Sequence, residues 1–150
     1  MADNNRDVFN PYGAFNFEVS ADGFPSGFQE VTGLGIEVTE AEYRNGNERQ
    51  NHVHKMNGLS KYSDVTCKRG IVGATEFFSW IKQVSDGDPN QRKDVTITLK
   101  DETANNTVMI WLLHAAKPKS YKGPSLNAKG GDLAMEELVL SYEWQEVKTQ

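Results

Sequence analysis

His52 and His54, one residue apart, are the most metal-like pair in the sequence. On an extended strand both imidazoles would lie on one side and could share an ion. A structural zinc takes four protein ligands, and no third ligand stands nearby, so the pair reads as solvated histidines on a polar ribbon. Asp86-Gly87-Asp88-Pro89-Asn90 opens like a calcium loop. Gln91 stands where such a loop needs glycine and Pro89 is badly placed in it, which leaves acidic residues in a turn. Cys67 is the lone cysteine. Lys68 and Arg69 beside it would lower a thiol pKa and, with a histidine, could make a nucleophile. The alternation in DVTCKRG instead makes Cys67 a small core residue. There is no G-x-S-x-G, no phosphate-cradling glycine loop and no H-E-x-x-H. Asn105-Asn106-Thr107 fits a glycosylation acceptor and, without a secretion signal, reads as a hairpin turn. Lys117, Lys119, Lys122 and Lys129 fall in one basic loop that could meet phosphate or an acidic face of a neighbouring subunit. No catalytic residue, metal or cofactor is expected.

The elements that must position these residues belong to one domain over 1–150, since 150 residues with 37% hydrophobic content can close a single core. Residues 1–11 form a polar lead-in expected to be mobile. A net charge of −5 argues against sequence-specific nucleic-acid binding, which needs clustered Lys and Arg. No run reaches the roughly 20 apolar residues of a membrane helix, so stable membrane association is not expected. The start, MADNNRDVFNPYG, has neither a basic nor an apolar leader region. With one cysteine and no leader, the chain is expected to be made and assembled in the producer's cytoplasm without a signal peptide.

Phe15, Phe17 and Val19 alternate with polar residues, as in a strand with one wet face. ADGFPSG reads as a turn, and FQEV, GIEVTEAEYR and SDVTCKR as further strands. Asn45-Gly46 and Asn57-Gly58 both carry turn signals. In ATEFFSWIKQVSDGDP the residues Phe77, Phe78, Ile81 and Val84 form one helical stripe, ended by Gly87 and Pro89. DVTITLK follows with Val95, Ile97 and Leu99 on one face; VMIWLL, apolar on both faces, suits a central strand. LAMEELVLSYEW closes the chain with Leu138, Leu140, Tyr142 and Trp144 on one side. The pattern is a mainly β protein: an antiparallel β-sandwich or barrel with one flanking α-helix.

Between Glu42 and Lys61 runs a hairpin arm that reads as polar on both faces and cannot join the core. Together with the strand leading into it, the ribbon mixes Glu40, Glu42 and Glu48 with Arg44, Arg49, Lys55 and Lys61. Such an arm is marginal alone in water. Mixed charges and unpaired edges suit contact with identical copies, which closes into a ring or runs on as a filament. A monomeric β-sandwich binding a ligand or glycan through Trp111 or Trp144 is the alternative reading.

EYRNGN, KMNGLSKYSDVTCKRG, FFSWI, RKDVTITLKDE, WLLHAAKPKSY and LNAKGGDLAMEELVLSYE, with PYGAFNFEV and GFQEVTGLG before them, resemble the tail tube proteins of contractile phage tails. That family includes the inner tube subunits of extracellular contractile injection systems. The likeness covers nearly the whole chain from about Pro11. It implies a barrel-like fold, an extended β-hairpin arm, and six-subunit rings stacked into a rigid tube inside a contractile sheath. It also implies baseplate and cap proteins as partners and a lumen that passes DNA or effector protein. An acidic bore would let DNA slide. Carried onto this chain, the inter-subunit contacts would be Tyr43, Arg44, Gly46, Lys55, Gly58, Leu59, Lys61 and Tyr62 on the arm. Lys68, Arg69 and Gly70 match the family's basic-Gly strand end, and Leu126, Asn127 and Ala128 its loop before the final strand. Asn57-Gly58-Leu59 departs from the family's usual Pro-Gly-Leu, and Cys67 from its usual aliphatic residue.

Overall fold

The computed structural model describes residues 9–21, 27–73 and 75–149. Residues 1–8 of the expected lead-in and residues 22–26 of the expected turn lie outside them. In chain order the elements are β1 (Phe17–Ala21), β2 (Glu30–Thr32), β3 (Ile36–Tyr43), β4 (His54–Tyr62) and β5 (Val65–Gly70). After them come α1 (Glu76–Ser85), β6 (Lys93–Lys100), β7 (Thr107–Lys122), β8 (Met135–Ser141) and β9 (Trp144–Thr149). The expected mainly β class with one helix is present, as a sandwich and not as a barrel closed by the described residues of one chain.

β7 serves both layers of the sandwich. Its first half pairs with β6 and β9, its second half with β8. The change of layer falls at Ala115, whose φ of +56° costs a non-glycine residue roughly 1–2 kcal/mol. Two contacts hold the bend: the Ala115 N–H donates to Asp94 Oδ1 at 3.1 Å, and Arg92 Nη1 donates to the Ala115 carbonyl at 3.4 Å. The returning chain bends opposite, at Tyr142 and Glu143, without losing register. Lys117 faces Ser141, the Glu143 N–H donates to the His114 carbonyl, and His114 faces Trp144. LAMEELVLSYEW is therefore two strands, with Trp144 past the corner. The stretch expected as a basic loop is corrected too: Lys117, Lys119 and Lys122 stand on β7, and Lys129 alone of the four is in the connecting loop.

The first layer is β1–β6–β7–β9 and the second β2–β5–β8–β7. Alternation sends Val19, Val95, Ile97 and Leu113 inward from the first, and Val65, Cys67, Leu138 and Leu140 inward from the second. Phe77 and Trp80 of α1 complete this single core. The helix stripe differs from the expected one. Trp80, three residues from Phe77, shares its face, whereas Phe78 lies about 100° around the helix and is 54% exposed. Trp80 can be buried because its indole N–H donates to the Gln91 carbonyl at 2.7 Å.

Candidate assembly surface

The arm is the continuation of the second layer. Pairing runs in one register from Glu30–Lys68 through the Ser63–Gly35 hydrogen bond to Val38–Ser60. Gly33 allows the passage: its φ is +95°, and a Cβ there would stand 2.1 Å from the Asp64 carbonyl oxygen. Asn57-Gly58, expected to be a turn, lies instead within β4, because the return strand runs His54–Tyr62. Gly58 and Leu59 together oppose Thr39, a β-bulge that shifts the register by one. A Cβ on Gly58 would meet Thr39 Oγ1 at 2.5 Å, so the missing side chain is what lets the strands approach. The tip is a turn around Gly46, as expected, but within a longer loop (residues 44–53) than a tight hairpin needs.

The expectation of two polar faces is corrected by the register. Near the body, Ile36, Val38 and Tyr62 share one face while Glu37 and Lys61 occupy the other. Beyond the bulge the sides exchange: Ala41, Tyr43, Met56 and His54 share the face that Glu37 began, and Glu40, Glu42, Lys55 and Asn57 take the first. All of β3 is exposed, and Leu59 at the bulge is 84% exposed. Each half of the arm thus offers water a different apolar side. Arg44 is engaged within its own loop, donating to the Gln50 and Glu48 carbonyls at 3.1 and 3.0 Å. Tyr43 donates to Asn45 Oδ1, and His54 Nε2 lies 3.2 Å from Glu48 Oε1. His52 is off the strand, its ring 5.9 Å from that of His54; among the described residues no three metal-ligating side chains cluster.

Of the Lys68-Arg69-Gly70 run, Lys68 and Gly70 are half-buried, but Arg69 points into the subunit at 3% exposure. Its guanidinium sits 4.0 Å over the Phe77 ring, bonds Glu136 Oε1, and lies 3.4 Å from Glu76 Oε2. Glu136, 4% exposed, also accepts from the Tyr121 hydroxyl at 2.9 Å. Burial and that carboxylate raise the Tyr121 pKa. This pair fastens β5, β8, β7 and α1 together, and only the β5–β8 register sets Arg69 opposite Glu136. Leu126, Asn127 and Ala128 are exposed in the β7–β8 loop.

Nucleophilic chemistry has no support at Cys67. It is buried, and burial pushes its thiol up to about 12, so the thiolate is not formed near neutrality. A cleft of about 610 Å³ at the foot of the arm is lined by polar groups, among them Glu37, Lys61, Tyr62, Asp64, Lys119 and Glu143. Lys119 Nζ is bonded to Asp64 there at 2.8 Å. Trp111 packs against the core, while Trp144 stays 46% exposed and stacks one face on His114 with ring centres 3.8 Å apart.

The sandwich also ends in strands with a free side. Among the described residues, β1 pairs only with β6, β9 only with β7, and β2 only with β5. Beyond Ala116, β7 pairs only with β8. A mainly β subunit with open edges and a protruding arm matches a family model, that of the T4-like virus tail tube protein gp19, over residues 13–146. The chain belongs to the gp19 tail tube family. It is a structural tube subunit, in a family that is not one of enzymes. A chain from the sheath–tube complex of an extracellular contractile injection system, PVC, in the extended state is 31% identical, with TM-score 0.82 over 95% of each chain. The tube-terminating cap of the anti-feeding prophage is 26% identical, with TM-score 0.82 over the whole of both chains. Hcp1 from Flavobacterium johnsoniae shares the fold alone, at 15% identity and TM-score 0.57 over 91% of this tail tube chain and 97% of its own. No curated protein matches the sequence.

Proposed function

We propose that this chain, as a single domain over residues 1–150, forms six-subunit rings that stack into the rigid inner tube of a contractile tail or injection particle. The tube is driven through a target envelope when the sheath shortens, and its lumen is the conduit for DNA or effector protein. Its partners are other copies of itself, the sheath, and baseplate and cap proteins; the sheath and cap named for its relatives motivate those two. Production and assembly take place in the producer's cytoplasm.

One observation carries the reading: open sheet edges and an arm whose two halves expose opposite apolar sides belong to a subunit completed only by its neighbours. The arm contacts are Tyr43, Arg44, Gly46, Lys55, Gly58, Leu59, Lys61 and Tyr62, with Leu126, Asn127 and Ala128 meeting the adjacent ring. Lys68 and Gly70 contribute from the strand end, while Arg69 acts from inside by holding that end in place. Replacing residues 40–57 with an Asn-Gly turn should leave a folded, soluble subunit that makes no tubes in negative-stain microscopy, under conditions where the unaltered chain makes them. Long tubes from the shortened chain would refute the role of the arm.

A further inference from the structure

The outward face of the second layer carries one row of charges across its four strands. Glu30 of β2 faces Lys68 of β5, Lys68 faces Glu137 of β8, and Glu137 faces Lys122 of β7. Their sequence neighbours Val31, Cys67, Leu138 and Tyr121 turn towards the core, which puts the row on the opposite side. The first step is a contact in the structure, with Lys68 Nζ 3.9 Å from Glu30 Oε2. Opposite charges directly across strands stabilise a sheet modestly, and like charges destabilise it. The next row, Thr32, Thr66, Val139 and Ser120, has no charge at all. The alternation is therefore confined to one line, and that line ends in opposite signs at the two edges of the layer: Glu30 at β2 and Lys122 at β7.

Those edge strands run in opposite directions, because three successive antiparallel pairings link them. A neighbour's β2 would thus meet β7 antiparallel, bringing its Glu30 against Lys122. We propose that Lys122 of one copy pairs with Glu30 of the next, so that the charge row runs on around the ring and fixes the register in which subunits join. This rests on the tube reading above and names the residues that set its lateral contact. A slip of one residue would turn the neighbour's charged row to the other face, and a slip of two would set Lys122 against the uncharged Thr32.

The test uses two charge reversals of the full-length chain. Lys122→Glu leaves both edges acidic, and Glu30→Lys leaves both basic. Each variant alone should raise the concentration needed for assembly about tenfold or more, since like charges are forced together at every lateral contact. Mixed in equal amounts the two should assemble again, alternating around the ring, because each edge then meets its opposite. The rescue should fade as salt is raised. Either variant assembling as the unaltered chain does, or a mixture assembling no better than its parts, overturns the pairing. Should a reversal unfold the subunit, Lys122→Gln and Glu30→Gln replace the pair. A salt dependence of assembly unchanged from the unaltered chain would then overturn it. An unaltered chain that never forms rings or tubes would refute the tube reading itself, a result distinct from tubes that form without this pair.

Discussion

Glu136→Leu tests whether the buried Arg69–Glu136 pair is the clamp that the geometry makes it. Both side chains are nearly sealed from water, at 4% and 5% exposure. Removing one partner of such a pair costs ~3–5 kcal/mol, because the other charge stays buried without compensation. The Tyr121 hydroxyl also loses its acceptor, which adds about 1 kcal/mol. Against this, Glu76 remains 3.4 Å from Arg69 and is partly exposed, so it can take up some of the charge. A loss of about 3–4 kcal/mol is expected. Urea unfolding of dilute, unassembled subunit measures it; with a slope of ~1–3 kcal/mol/M, the midpoint should fall by about 1–4 M. Arg69→Met should cost a similar amount and also remove the cation over Phe77. The double variant, with both charges gone, should recover to within ~1–2 kcal/mol of the parent, as buried pairs replaced by apolar residues do. A double variant as unstable as the sum of the singles would refute the clamp.

Three further outcomes follow from single positions. A thiol reagent at pH 8 should label Cys67 only as the chain unfolds; rapid labelling of the folded subunit would contradict its burial. The same burial gives a sign for alkali: Cys67 rises from 9.0 to about 12 on folding. Its contribution is complete below pH 9 and declines as pH climbs from 9 to 12, where only the unfolded thiol ionises, by at most ~4 kcal/mol. Comparing the alkaline stability slope of the parent with that of Cys67→Ala checks this, and equal slopes would refute it. Gly33→Ala should cost at least ~2 kcal/mol in thermal or urea unfolding, from a left-handed φ plus a backbone clash with Asp64, and should impair assembly more than a core change of equal cost by re-aiming the arm.

Much of the fold was legible because periodicity survives burial. DVTITLK, SDVTCKR and the helix ending at Gly87 appear where the pattern puts them, since one face of each must meet the core whatever its neighbours are. Failures concentrate where the chain changes partner mid-element. Asn57-Gly58 carries a turn signal, but a bulge needs the same glycine for a different reason: close approach to Thr39. KPKSYK looks like a loop from its charges, yet an edge strand with one wet face tolerates lysines and even Pro118. Phe78 and Trp80 both look apolar in the sequence, and only packing into the core and the bond to Gln91 decide that Trp80 is the buried one.

The sequence by itself determined the class of the subunit, its family, and the run of residues that cannot be buried in its own core. Those follow from local composition and spacing, which are properties of neighbours along the chain. The tertiary structure decided where the arm's apolar side changes face, that Arg69 works inward, and that one line of charges crosses four strands to end in opposite signs. Each depends on strand register, and register is set by contacts between segments far apart in sequence, which no local pattern records.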